Sequence, residues 1–250
     1  MALKTEKNKL KALRKQMVTT LTLLHHRGWA LIPQVHLTAR VTGLPELTDL
    51  ITDLPLLTIQ LPEPFPKLAG DYLLITRPGL PVVDVIKKPE ETILLFKCAE
   101  NGTVLHLMGS QHDIRIEPCS ALINHLRFHE KLAGTIKNAI VMLAEPDDLI
   151  RLSAIMPYEN AFSPDKVLCS AWPPVKNLLD PPDVKQLCQI FDTDTNGYRV
   201  AGHLPGLVIW EKHGAYVAAK RISSAITMLE AASKAARLAL PFSLQTQTIL

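Results

Sequence analysis

The stretch GLVIWEKHGAYVAAKRISSAITMLEAASKAARLAL, Gly206 to Leu240, decides how this chain is read. Gly206 to Trp210 is an apolar run of strand length, His213-Gly214 suits a turn or strand edge, and Ala215 to Ala218 returns as a second strand. From Arg221 to Leu240 the apolar residues Ile222, Ala225, Ile226, Leu229, Ala232 and Ala236 recur in an i, i+3, i+4 pattern, which puts them on one face of a long helix. Two short strands followed by an amphipathic helix are the parts of a sheet with a helical cover.

Upstream, the same patterns recur. Ser120 to Leu132 reads as a helix, Ala139 to Ala144 as a buried strand, and Pro146 opens a further helix through DDLIRLSAI. Thr92 to Met108 reads as a hairpin, because Asn101-Gly102 lies between two apolar runs and suits left-handed turn positions. Tyr72 to Thr76 is a strand that stops at Arg77-Pro78-Gly79, and LPEPFPKLAGD before it is a proline-rich loop. His36 to Val41 alternates as a strand does, Pro45 to Ile51 suggests a short helix, and Leu56 to Leu61 a strand. At the N-terminus Leu10, Leu13, Met17, Leu21 and Leu24 form the stripe of an amphipathic helix over residues 1–28, with Gly28 as its stop. Ser163 to Pro182 is too rich in proline to assign. Interleaved strands and helices around a central hairpin give an α/β fold with a mixed central sheet covered by helices, rather than a parallel βαβ array. No joint is long enough for an interdomain linker, so one domain over 1–250 is expected, with 241–250 as a short tail.

Composition narrows the function. The chain has 250 residues and 27 Lys+Arg against 24 Asp+Glu, a net charge of +3. That excess is unclustered beyond the first helix, so no nucleic-acid partner is expected. No apolar run is long enough to span a bilayer, so no membrane partner is expected either. The four cysteines, Cys98, Cys119, Cys169 and Cys188, form no C-x-x-C pair and read as reduced thiols of a cytoplasmic protein. The basic start lacks the apolar core of a secretion signal. There is no G-x-G-x-x-G, P-loop, H-E-x-x-H or G-x-S-x-G, and the eleven glycines do not cluster into a phosphate cradle.

The opening stretch resembles the end of the class II aldolase/adducin family. The family pattern L-V-L-W-x-x-H-G is met by Leu207-Val208-Ile209-Trp210-Glu211-Lys212-His213-Gly214. Near the start, G-W followed by N-G-G-N and L-T-L-R is met by Gly28-Trp29 and, at the same spacing, Leu37-Thr38-Ala39-Arg40. The helix pattern S-E-L-P-A-H-x-x-x-H is met by Ser120-Ala121-Leu122-Ile123-Asn124-His125 and His129. The three matches fall in consistent order from about Gly28 to Leu240, with lengths differing over Ser163 to Tyr198.

The resemblance implies a three-layer α/β/α fold and a homo-oligomer, often a tetramer with its site between subunits. It also implies a chemistry: zinc on three histidines as Lewis acid, a glutamate that moves the proton, and glycine-rich turns that hold phosphate. Carried over residue by residue, most of that chemistry is absent. The His-Gly histidine is His213, but the H-x-H pair falls on Leu143 and Glu145, and the glutamate falls on Ala121. The N-G-G-N loop becomes Pro33-Gln34-Val35-His36, where proline has no N–H to offer. The T-G-S-G turn becomes Thr76-Arg77-Pro78-Gly79. The expected protein is therefore a degenerate family member without catalytic residues or cofactor, serving as a binding, scaffold or regulatory protein. The alternative is a sugar-phosphate lyase or isomerase whose rebuilt site uses His36, Arg77, Glu145 and His213, with zinc only in that case. A sensor of a small anionic metabolite in the same pocket is a third reading, with Arg77 supplying a guanidinium for the anion.

Several residues carry a plainer reading beside the chemical one. His125 and His129 have metal-binding spacing on a helix, but the family pattern has histidine at both positions outside its zinc triad. His25-His26 suit the negative end of the first helix. Glu117 lies one helical turn from the missing base position.

Overall fold

The computed structural model describes residues 2–31, 33–42, 57–108, 116, 119–134, 136–155, 176–178, 207–210 and 213–246. The short helix expected at Pro45 to Ile51, the candidate Glu117, and all of Ser163 to Tyr198 except 176–178 lie outside these residues. The chain divides into two compact units. One comprises Met1–Met142 with Lys220–Ile222, and the other Leu143–Ala219 with Ser223–Leu250.

The first unit opens with helix α1 (Ala2–His26). Its stripe faces inward as the spacing requires: Leu10, Met17, Leu21 and Leu24 are buried, and Leu13 is half-buried. Each fully buried leucine contributes roughly 2 kcal/mol. The helix is a packing element, tied down where the Arg14 side chain meets Glu90 and the Ile93 carbonyl. Gly28 follows it with φ +70° and donates its N–H to His25 O at 3.0 Å, the left-handed stop expected there.

The sheet of this unit is antiparallel. Its strands are β1 (Leu37–Val41), β2 (Thr58–Gln60), β3 (Tyr72–Thr76), β4 (Ile93–Cys98), β5 (Val104–Met108) and β6 (Ile140–Ala144), in the spatial order β2-β5-β4-β3-β1-β6. Thr38 therefore lies opposite Ile75 on one side and Val141 on the other. The expected hairpin is β4–β5. Its turn is wider than a two-residue one, since Ala99 N–H closes on Val104 O at 2.8 Å and Gly102 takes φ +69°. Between β3 and β4 run two short helices with no counterpart in the sequence reading, α2 (Val82–Lys87) and α3 (Pro89–Thr92). Helix α4 (Ser120–Leu132) has the expected bounds.

The second unit holds α5 (Asp147–Ile155), β7 (Lys176–Leu178), β8 (Leu207–Trp210), β9 (Gly214–Ala219) and α6 (Ile222–Thr246). Strands β8 and β9 form the expected antiparallel pair, while β7 runs parallel to β8. Ala225, Leu229, Ala232 and Ala236 bury one face of α6, and Arg237 and Ser233 of that helix reach Asp148 on α5 at 3.0 and 3.3 Å. The tail expected at 241–250 begins instead inside α6, which runs through Pro241 to Thr246. Proline disfavours helix at the residue before it, but it removes only one backbone hydrogen bond, and a long helix already propagating absorbs that loss. Antiparallel and parallel pairings together make the fold mixed α/β. Cys98 and Cys119 are free thiols.

Candidate functional site

In the first unit, the segment before β1 and the turn after β3 are fastened to each other. The N–H groups of His36 and Leu37 both donate to Thr76 Oγ1 at 3.1 Å, and Gly79 N–H donates to Pro33 O at 3.3 Å. The antiparallel pairing of β1 with β3 brings these ends together. His36 is buried at this junction. Arg77 follows directly on β3, and its own N–H is spent on Thr92 O at 2.8 Å. The backbone donors of 77–79 are thus used internally or, at Pro78, missing. Arg77 is half-buried and has no ion pair among the described residues. A built Cβ at Gly79 meets nothing within 4 Å, so the turn faces open space.

Beneath this junction lies a buried polar chain. Thr38 and Arg40 alternate with Leu37 and Ala39 and so share one face of β1. On α4, His125 and His129 stand one turn apart on one face. Thr38 Oγ1 lies 2.9 Å from His125 Nδ1 and 2.7 Å from His129 Nε2, and His125 Nε2 lies 3.0 Å from Val35 O. Burial pushes His125 down to about 3, more than its bond to Val35 raises it. Burial also drives His129 well below the ordinary imidazole range, assisted by His125 and Arg40. Both rings are therefore neutral, and the hydrogen positions follow. A carbonyl only accepts, so His125 carries its hydrogen on Nε2. Its bare Nδ1 accepts from the Thr38 hydroxyl, whose oxygen accepts from His129 Nε2–H. These histidines are hydrogen-bonded core residues, as the plainer reading holds.

Arg40 completes the layer. Its Nε and Nη2 pair with Asp71 at 2.6 and 2.5 Å, and Nη2 also donates to Lys67 O at 3.3 Å. The Asp71 carboxyl is held above its ordinary range, because burial raises it more than Arg40 lowers it. Ala121, the family's proton-moving position, is buried on α4 and carries no ionisable group.

In the second unit, Leu143 and Ala144 end β6 and Glu145 follows, all buried. Gly214 opens β9 with φ +137°, and a Cβ on it would stand 2.3 Å from Ala144 O and 3.2 Å from the Glu145 Cα. Glycine is obligatory in this close approach. The His-Gly pair therefore lies against the strand end on which the resemblance puts the other two ligand positions. His213 donates its N–H to Trp210 O at 3.0 Å, and its ring stacks on the Trp210 indole at 4.5 Å between centroids. Trp210 in turn stacks on Tyr216 at 5.8 Å.

Of the four pocket candidates, His36 and Arg77 thus lie on adjoining segments of one unit, and Glu145 and His213 on adjoining segments of the other. Within neither unit, among the described residues, do three His, Cys, Asp or Glu side chains gather as a metal site. A zinc ion held by three side chains does not fit this donor set, because the Leu143 side chain offers carbon only. Sequence reasoning missed Thr38, Thr76 and the Arg40–Asp71 pair. The signal for Thr38 and Arg40 was present as two polar residues on one face of a strand, matched by the histidines on α4.

No protein-family model matches the chain. The rhamnulose-1-phosphate aldolase of Yersinia pestis (strain Pestoides F) is 26% identical over 188 residues, 72% of this chain and 66% of that protein. The rhamnulose-1-phosphate aldolase of Enterococcus faecalis is 27% identical over 176 residues, 68% of this chain and 61% of that protein. The chain thus spans just under two thirds of the length of these relatives. Among solved structures, a sugar-phosphate aldolase from Thermotoga maritima superposes with a TM-score of 0.67 at 16% identity, covering 93% of this chain and 95% of that one. An aldolase II superfamily protein from Pseudomonas syringae gives 0.54 at 16% identity, covering 90% and 73%. The chain therefore has the class II aldolase fold and is related in sequence to rhamnulose-1-phosphate aldolase.

Proposed function

We propose that this chain is a class II aldolase relative that binds a small anionic metabolite without zinc-dependent aldol cleavage, as a sensor, scaffold or regulatory protein. One observation carries the reading: Leu143 and Ala121 are both buried hydrocarbon side chains at positions where the resemblance requires a metal ligand and a proton carrier. Neither burial nor neighbours can give such a side chain a lone pair or a proton. The Arg77 guanidinium, set at an open turn and unpaired among the described residues, is the anion-binding group of this reading. A homo-oligomer in the cytoplasm belongs to the same proposal, on the habit of the family and the scattered thiols.

A second reading is a sugar-phosphate lyase or isomerase with rebuilt chemistry, its candidate residues being His36 and Arg77 in one unit and Glu145 and His213 in the other. Its support is that His36 and Glu145 are both buried, where ionisable side chains are seldom found unless paired. Metal content per chain separates the two. Untagged protein purified without chelator is analysed by mass spectrometry, then again after zinc soaking and desalting. Near-zero zinc in both samples is expected. Close to one zinc per chain would overturn the first reading and make His36, Glu145 and His213 the residues to substitute.

A further inference from the structure

Two buried polar atoms in the layer between β1 and α4 have no protein partner among the described residues. They are Arg40 Nη1, a donor, and His129 Nδ1, an acceptor once His129 carries its hydrogen on Nε2. His129 is fully buried and Arg40 nearly so. The two side chains interact electrostatically, and Arg40 shares with Thr38 the strand face that meets His129. Asp71 and Lys67 O take Arg40 Nε and Nη2, which leaves Nη1 as the free corner of the guanidinium. A buried donor and a buried acceptor left unsatisfied each bear the full penalty of leaving water, and native interiors answer such pairs with ordered water.

We propose that one buried water bridges Arg40 Nη1 and His129 Nδ1 and closes a one-directional hydrogen-bond chain from Arg40, itself held by Asp71, to the Val35 carbonyl. Arg40 donates to Asp71 and to the water oxygen. The water donates to His129 Nδ1. His129 Nε2–H donates to Thr38 Oγ1, Thr38 O–H donates to His125 Nδ1, and His125 Nε2–H donates to Val35 O. From Arg40 onward every donor points the same way, so reversing one link would leave two like groups facing each other at the next. The chain ends on the residue before His36, in the segment fastened to the turn at Thr76. Thr38, His125 and His129 are thereby positioning residues for that segment. The inference stands whether or not the junction binds an anion.

Neutron diffraction from a deuterated crystal of the full chain near pH 7 tests it directly. Deuterium is expected on Nε2 of both histidines and on neither Nδ1, with a water within hydrogen-bond distance of Arg40 Nη1 and His129 Nδ1. Deuterium on His129 Nδ1, a direct Arg40–His129 hydrogen bond, or no scattering between the two atoms overturns the proposal. A pair of variants checks the positioning role by amide hydrogen exchange. Thr38→Ser keeps the hydroxyl and should retain the protection of His36 and Leu37 N–H, whereas Thr38→Val should lower it by at least tenfold. Equal protection in the two variants overturns that role. If Thr38→Val does not fold, the diffraction result on the natural chain decides alone.

Discussion

A Cβ added to Gly214 would stand 2.3 Å from the carbonyl oxygen of Ala144. The glycine of the His-Gly pair is therefore fixed by the backbone it touches. Alanine there adds a left-handed backbone penalty of about 1–2 kcal/mol to a contact that two main chains must relieve by moving apart. Gly214→Ala is expected to lose at least about 3 kcal/mol of stability, or to accumulate as insoluble protein. Urea unfolding of the purified variant measures this, and an unchanged midpoint would show that the approach of β9 to Ala144 is looser than described.

Asp71 and Asp148 make a contrasting pair. The Arg40–Asp71 side chains are 7% and 15% exposed, whereas Arg237 in its pair with Asp148 is 72% exposed. Asp71→Ala strands a buried guanidinium and should cost about 3–5 kcal/mol. Asp148→Ala should cost at most about 1 kcal/mol. The double variant Arg40→Met/Asp71→Leu should recover much of the first loss, because no charge then stays buried. Unfolding midpoints of the three variants in one buffer check the order, and equal losses at Asp71 and Asp148 would contradict it.

Acid should destabilise the fold before the carboxylates titrate. His125 and His129 are held neutral in the folded chain, while in the unfolded chain both take protons near pH 6.5. Below that pH the unfolded state binds more protons, so stability falls as pH falls, by up to about 1.4 kcal/mol per pH unit for each histidine. For His125 the loss runs down to its folded value of about 3. Above pH 7 the two histidines contribute no pH dependence. Asp71 acts in the opposite sense, since its raised carboxyl gains a proton more readily in the folded state, but in the carboxylate range. Urea midpoints between pH 7.5 and 5.5 should show the histidine slope, and a flat profile would mean that the rings are charged or exposed.

Arg77 offers a separable function. Its side chain has no described partner, so Arg77→Ala should leave stability within about 0.5 kcal/mol of the natural chain. On the proposed function, the same variant should bind inorganic phosphate at least tenfold more weakly in calorimetric titration. A natural chain that binds no phosphate, or a variant that binds it equally, would remove Arg77 from the anion site.

What the sequence made legible was whatever repeats at a local period. The stripe of α1, the largely apolar β3, the all-apolar β6, and the bounds of α4 follow from spacings that any window of ten residues displays. The helices α2 and α3 escaped notice because each is one or two turns long, and the prolines Pro81 and Pro89 at their starts look like loop signals in isolation. The site was legible only through resemblance. That route named His36, Arg77, Glu145 and His213, but it did not show that His36 depends on Thr76, which lies 40 positions away. Thr38 joins two histidines 87 and 91 positions distant, a relationship set by strand pairing and helix packing. Nothing local to L-T-A-R announces it.

The fastening of the segment before β1 to the turn after β3 bears on selectivity. A cradle of backbone N–H groups recognises phosphate by shape, because its donors stand at fixed corners around a tetrahedral anion. Here those donors are engaged with Thr76, Thr92 and Pro33. On the proposed function, an anion at this turn meets one guanidinium and is sorted by charge more than by shape, so sulfate, phosphate and carboxylate all answer. Binding of that kind weakens steeply with ionic strength where it is exposed to solvent. On the proposed function, this turn is then a receptor tuned by salt and by competing anions.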